Sequence, residues 1–290
     1  MSDSFSLNFL DAPPEFSRLK DAAIVVLPVP FERSTSWLEG TRGGPLAILE
    51  ASGQVEYYNM ETQTEVHKHG IFTDQPLKAG SAEELIRVLS EKVGKFLDMG
   101  KFVVVLGGEH SISLAPVKTA LERFEPLTIL HLDAHSDMRD EYLGDPNSHA
   151  CVMARVQELT KDIAMVGVRS MDSSELGRLK NVKLLSARDF LRATQEEKSA
   201  FIHSLSNNVY LSFDVDVLDP SIMPSTGTPE PGGLHWYGVL DFLKELFRLK
   251  NVVGMDVVEL APNPQNKAPD FLVAKLITTL LSYKFYYQGQ

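Results

Sequence analysis

Two periodicities alternate along the chain. Short runs rich in Val, Ile and Leu read as buried strands at 22–27, 102–106, 127–132, 163–168, 182–185, 209–213 and 252–258, with a shorter one at 71–73. Between them, apolar positions recur at helical spacing. Leu85, Val88, Leu89, Val93, Phe96 and Leu97 mark a helix over 81–99, opened by a Ser81–Glu84 capping box and stopped by Gly100. Further helices are predicted at 45–51 (Pro45 in its first turn), 112–124, 149–160, after a second box from Thr194 to Glu197, at 234–249 and at 271–283. Residues 1–20 read as an irregular arm and 218–233 as a long Pro- and Gly-rich loop.

Strands alternating with helices predict an α/β fold with a mostly parallel sheet covered on both faces. Such sheets bind ligands beyond the carboxyl ends of their strands. His110, Asp133, Asp214 and Glu259 each follow a predicted strand directly, so one sheet can gather residues from 110 to 259. That favours a single domain, 1–290, over the two that length alone suggests.

Composition narrows the partners. The net charge is −11 and no basic run occurs, which argues against nucleic acid and anionic membrane surfaces. The single cysteine, Cys151, allows no intrachain disulfide and fits a reducing, cytoplasmic setting. The first residues carry no leader-like pattern, and the apolar stretch 271–287 is interrupted by Lys275 and Lys284, so no membrane span is expected.

The chemistry sits at strand ends. Asp133, His135 and Asp137 follow the run 127–132 at alternate positions, which in extended chain would point one way. Asp214 and Asp216 follow another apolar run, and Gly107-Gly108-Glu109-His110 a third. Alone, each piece could be a polar strand end. Together they offer two histidines and four aspartates, too many for one zinc and suited to two oxygen-preferring ions such as Mn²⁺. Two divalent ions would offset four carboxylate charges that otherwise repel. Such a pair makes hydroxide available near neutral pH, which implies hydrolysis at carbon or phosphorus.

Gly-Gly-Glu-His-Ser (107–111), Asp-Ala-His-Ser-Asp (133–137), Ser-Phe-Asp-Val-Asp-Val-Leu-Asp-Pro (212–220) and Gly-Thr-Pro-Glu-Pro-Gly-Gly-Leu (227–234) resemble the motifs of the ureohydrolase family of arginases and agmatinases. Segments 40–45, 167–170 and 257–262 resemble its lesser motifs, and the likeness runs from about residue 24 to 282. The resemblance implies a three-layer αβα domain of the arginase/deacetylase-like kind, two Mn²⁺ per subunit and hydrolysis of a guanidino group to urea. It also implies a homo-oligomer, trimer or hexamer. Carried over by position, His110 and Asp137 would bind one ion, His135 and Asp216 the other, with Asp133 and Asp214 bridging. His149 would shuttle protons, Asp216 could hold a hydroxide proton, and Glu259 would receive the guanidinium. The resemblance assigns no ligand role to His131, Glu109 or Asp219, which read as core, ligand-orienting or turn-capping residues. Cys151 reads as a small core residue.

Two departures bear on the substrate. Leu49 stands where many relatives have arginine, read as a local packing change. Between Asp137 and His149 the chain carries Asp140, Glu141 and Asp145 where arginases have a neutral segment. This favours a small cationic guanidino substrate, agmatine giving putrescine and urea in polyamine biosynthesis. The acids are expected to meet the amine tail, with Arg139 facing outward or paired to a neighbouring acid. Alternatives are guanidinobutyrate, arginine or an aminopropylated agmatine; further off stand a one-zinc, deacetylase-like amide hydrolase and a non-catalytic homologue.

Overall fold

The computed structural model describes residues 7–288, and among these the apolar runs form one eight-stranded, wholly parallel sheet. In chain order the elements are β1 (Ile24–Val29), α1 (Gly44–Ser52), the small antiparallel pair β2 (Tyr58–Asn59) and β3 (Thr64–Glu65), β4 (Ile71–Thr73) and α2 (Ala82–Asp98). Then come β5 (Phe102–Gly107), α3 (Leu114–Leu121), β6 (Leu127–Leu132), α4 (Val152–Leu159), β7 (Ile163–Val166), α5 (Leu176–Leu179) and β8 (Lys183–Leu185). The chain closes with α6 (Ala187–Arg192), α7 (Gln195–His203), β9 (Asn208–Asp214), α8 (Trp236–Leu249), β10 (Asn251–Val258) and α9 (Ala268–Tyr287). The strand order is β4-β1-β5-β10-β9-β6-β7-β8.

Alternation along the strands sorts their side chains into two layers of core. Ile24, Val26, Val104 and Leu106 pack with α1, α8 and α9 on one face; Val25, Leu27, Val103 and Val105 pack with α2 on the other. Ile129 and Met165 extend that second face under α4. The result is the expected three-layer αβα sandwich. No helix among the described residues is long and apolar enough to cross a membrane.

Some local expectations differ. Of the arm at 1–20, residues 1–6 lie outside the described part, as does the stretch judged for a leader. The rest is not irregular: Phe9–Asp11 and Pro14–Phe16 form 3-10 turns, Phe9 and Leu10 are buried, and Leu10 N–H donates to Ser52 Oγ at 2.9 Å. Thr194 and Glu197 close a full capping box. At α2 only half of one forms, because the Glu84 carboxylate turns back to Gly80 N–H (2.8 Å) rather than to the cap residue. Leu49 is buried in the core, as a packing change requires.

Candidate metal centre and active-site cleft

Four neighbouring strands, β5, β10, β9 and β6, end at one level. Val258 registers with Asp214, and Phe213 with Leu132, so Asp133, Asp214 and Glu259 stand side by side at the carboxyl edge. The turn after β5 brings His110 to the same place: Glu259 Oε1 accepts the His110 backbone N–H at 2.6 Å. Alternation in an extended chain is not how Asp137 arrives. The strand stops at Leu132, and Asp137 adopts φ 50°, a left-handed conformation that turns it back toward the cluster. Glu259 is held similarly at φ 67°. Strain of this kind costs about 1–3 kcal/mol per residue and persists where surrounding contacts over-determine it.

The two Asp-x-ligand motifs share a local device. Asp133 Oδ1 accepts the N–H of His135 at 2.5 Å, and Asp214 Oδ1 accepts that of Asp216 at 2.8 Å. Each turn fixes one carboxylate oxygen and leaves Oδ2 for the cluster. His110 Nδ1 then lies 3.1 Å from Asp133 Oδ2, 3.2 Å from Asp137 Oδ2 and 3.1 Å from Asp214 Oδ2. His135 Nδ1 lies 3.0 Å from Asp216 Oδ2 and 3.4 Å from Asp133 Oδ1. Two ion-sized groupings result, one of His110, His131, Asp133 and Asp137, the other of Asp133, His135 and Asp216, with Asp133 in both.

The donor set fits divalent cations. His110 Nδ1 and Asp133 Oδ2 are buried without an aligned hydrogen bond despite their closeness. Ligands about 2.1 Å from an octahedral ion sit about 3 Å from one another, which matches the separations above. Ser212 Oγ lies 2.9 Å from His110 Nε2 and 2.8 Å from Asp256 Oδ1. If Ser212 donates to that carboxylate, His110 keeps a proton on Nε2, and Nδ1 is the nitrogen that would give up its proton to an ion. His131 does not line the cleft; it is fully buried, with Nε2 3.0 Å from Asp133 Oδ2 and neither ring nitrogen in an aligned hydrogen bond.

Electrostatics point the same way. Burial, then repulsion from Asp216 and Asp133, pushes the Asp214 carboxyl well above the carboxylate range; burial and Asp133 raise Asp216. Burial opposes the charged form of His135, yet Asp216 and Asp133 outweigh it and push the imidazole up to about 12. Carboxylates and imidazoles buried this close together favour a compensating positive charge, from protons or from cations.

The cluster forms the floor of a cleft of about 260 Å³. His149 and Glu259 line it, with Thr35, Ser36 and Thr228. Burial raises Glu259 well above its usual range; the His110 charge and backbone bond only partly offset this. A guanidinium, charged at any working pH, would favour the ionised form.

The acidic segment behaves differently from its expected role. Asp140 ion-pairs with Arg178, and Asp140, Glu141 and Asp145 all lie off the cleft wall. Beyond Asp137, Asp214, Asp216 and Glu259, the acids that line it are Asp172 and Glu175, from the segment after β7. Arg139 follows the second of its two expectations, pairing with acids, and not the outward one. It lines the cleft, 3.8 Å from Asp172 Oδ2 and 3.7 Å from Glu175 Oε1, with Tyr142 below its guanidinium at 5.4 Å. Sequence reasoning missed this wall because the two segments are separated by β7 and meet only in space. The Gly-Val-Arg-Ser segment was the available signal. Its Arg169 donates to the carbonyls of Asp216 (2.7 Å) and Glu230 (2.9 Å), clamping the second ligand turn. Glu109 and Asp219 do not line the cleft: Glu109 accepts from Arg33, Ser34 and Ser111, and Asp219 caps the 219–233 loop through Ser221, Gly232 and Gly233. Cys151 is buried, and burial pushes its thiol up to about 11, which suits a core residue and not a nucleophile.

Known proteins share both sequence and architecture with this chain. The arginase-family profile matches residues 22–282. An N(1)-aminopropylagmatine ureohydrolase of Synechocystis sp. is 39% identical, covering 91% of this chain and 89% of its own. An agmatinase of Pyrococcus horikoshii is 34% identical over 89% and 91% of the two chains. The solved agmatine ureohydrolase of Thermoplasma volcanium superposes with a TM-score of 0.89 at 28% identity, covering 99% of this chain and 97% of that one. With ligand-type residues gathered at the strand ends and the family profile spanning nearly the whole chain, this protein belongs to the arginase family, binuclear-metal hydrolases of guanidino C–N bonds.

Proposed function

We propose that the chain is an agmatinase-like amidinohydrolase, converting agmatine and water to putrescine and urea. The observation that carries this is the buried Asp/His cluster with Glu259 beside it in one small cleft. In this reading His110 and Asp137 would hold one Mn²⁺, His135 and Asp216 the other, and Asp133 and Asp214 would serve both. Oxygen-rich donors with two imidazoles support Mn²⁺ over softer metals. Bound there, two such ions supply charge compensation and a water activated as nucleophile near neutral pH. Glu259 binds the guanidinium, orienting its carbon over the cluster. Asp216 takes up a proton from the attacking water, and His149 delivers one to the departing amine nitrogen.

A second substrate is favoured by a specific observation. Three relatives named N(1)-aminopropylagmatine ureohydrolases are 39–40% identical and a fourth 32%, against 34% for those named agmatinases. Asp172 and Glu175 on the cleft wall support a cationic tail in either case. The unbroken sheet supports one domain over 1–290, and the lone buried Cys151 a reducing, cytoplasmic setting. The family resemblance supports a trimeric or hexameric assembly.

Urea release from the Mn²⁺-loaded chain tests the reading, with agmatine, N(1)-aminopropylagmatine, 4-guanidinobutyrate and arginine compared by kcat/KM. The amine-tailed compounds are expected to lead by roughly tenfold or more, since one partly screened charge contact is worth about 1–4 kcal/mol. Preference for 4-guanidinobutyrate would reject the agmatinase-type assignment and implicate Arg139 as a carboxylate partner.

A further inference from the structure

Glu109 belongs to a motif whose histidine is a ligand candidate, yet its own carboxylate points the other way. It is buried, and four donors converge on it: Arg33 N–H and Ser34 N–H at 2.6 Å on Oε2, Ser34 Oγ at 3.0 Å and Ser111 Oγ at 2.5 Å on Oε1. Ser34 in turn touches His149 twice. Its Oγ accepts the His149 backbone N–H at 3.0 Å and lies 3.1 Å from the ring Nδ1.

The hydroxyl's valences decide the geometry. A serine hydroxyl has one proton and two lone pairs. The proton goes to Glu109, whose oxygens act as acceptors for all four of these donors, and one lone pair takes the His149 N–H. A bare Nδ1 would face the remaining lone pair at 3.1 Å and be repelled, whereas Nδ1–H completes the set. Ser148 Oγ, 3.2 Å from Nδ1, is the one rival donor, and it is equally able to accept. With Nδ1 protonated, Nε2 is left as the acceptor toward the cleft, where Ser36 Oγ meets it at 2.9 Å.

We propose that Ser34, oriented by Glu109, is a positioning residue that fixes His149 as the Nδ1–H tautomer with Nε2 presented to the reacting groups. This rests on the proton-delivery role of His149 given above: with Nδ1–H held, Nε2 takes up the proton that Asp216 removed from the attacking water, and the imidazolium passes it from Nε2 to the departing amine nitrogen. A buried carboxylate acting through a hydroxyl does for this imidazole what a directly bonded carboxylate does in a Ser-His-Asp triad. Because the hydroxyl also grips the His149 backbone, ring and main chain are oriented together.

The test is a double-mutant cycle with Ser34→Ala and His149→Ala, plus Ser34→Thr as the conservative variant, each with metal content measured. Ser34→Ala is expected to lower kcat roughly 10- to 100-fold with KM nearly unchanged, and Ser34→Thr to restore most of it. In the His149→Ala background Ser34→Ala should cost nothing more, because residues acting as one unit are not additive. Ring ¹⁵N shifts should show His149 as Nδ1–H in the chain loaded with diamagnetic Mg²⁺ and a tautomer mixture in Ser34→Ala. Independent, multiplying losses, a Thr variant as damaged as Ala, or a ring protonated on Nε2 alone would each overturn the relay. Urea release by the unaltered chain reports separately on the amidinohydrolase reading, and the ring shifts judge the relay even without turnover.

Discussion

At the residue scale, Asp214 shows how one carboxylate serves two ends. Its Oδ1 closes the turn onto Asp216 N–H, and its Oδ2 joins the cluster 3.1 Å from His110 Nδ1. Asp214→Asn keeps the shape and removes the charge. Its carboxyl is already pushed up by burial and by neighbouring acids, so in the metal-free chain the ionised form is disfavoured in the native state. The neutral amide should therefore leave the metal-free Tm equal or higher. Bound divalent metal should fall below two ions per chain, and urea release should drop by at least about 100-fold, ligand loss exceeding the 10- to 100-fold typical of outer partners. Metal analysis and thermal unfolding of the same preparation check both halves; two tightly held ions with full activity would end the bridging role.

At the element scale, the turn leaving β5 is stitched to two strand ends at once. Gly108 N–H donates to Val29 O, Glu109 N–H to Phe31 O, and Gly108 O accepts from Glu259 N–H. A Cβ on Gly108 would sit 2.0 Å from the Phe31 carbonyl oxygen, which neither backbone can avoid. Gly108→Ala is expected to cost upwards of about 3 kcal/mol and to loosen metal retention, since the displaced segments carry Glu109, His110 and Glu259. Gly177, in the short α5 with nothing within 4 Å of its would-be Cβ, is the control. Gly177→Ala should be neutral or stabilising by up to about 1 kcal/mol. Comparing the Tm of both variants separates close backbone approach from a general intolerance of side chains.

At the scale of the whole molecule, the cluster ties stability to pH. His110, His135, Asp214 and Asp216 all bind protons more tightly in the folded, metal-free chain than when unfolded. For such groups the unfolded state binds fewer protons as pH rises past its own pKa, so stability falls with rising pH. The carboxyl contribution declines from about pH 4 and the imidazole contribution from about 6.5, the latter continuing toward about 12 for His135. Asp133, held well below its usual range chiefly because His131 and its hydrogen bonds outweigh burial, titrates too low to matter there. Divalent ions bind the deprotonated ligands, so their affinity moves oppositely. The rise in Tm on adding Mn²⁺ should thus be larger at pH 8.5 than at pH 6, with protons released on binding. A shift that shrinks toward alkaline pH, measured before metal hydroxide forms, would contradict the protonated state of the metal-free cluster.

Much of this was legible in the chain because its period is short. Alternating apolar runs determine which residues are strands, and ligand-type residues directly after several of them determine that a parallel sheet must bring them to one edge. The spacing within Asp133–Asp137 and Asp214–Asp216 was legible too, although a left-handed turn at Asp137, not strand alternation, delivers its last member. What only the tertiary structure decided depends on contacts between distant segments. Asp140, Glu141 and Asp145 are close in sequence to the ligands, yet Arg178 draws Asp140 outward and the cleft wall is built instead from Arg139, Tyr142, Asp172 and Glu175. Ser34 reaches His149 across 115 residues, and no local pattern marks it. Secondary structure follows from nearest neighbours along the chain, whereas the partner of a charge or a hydroxyl follows from which loops the sheet happens to set side by side.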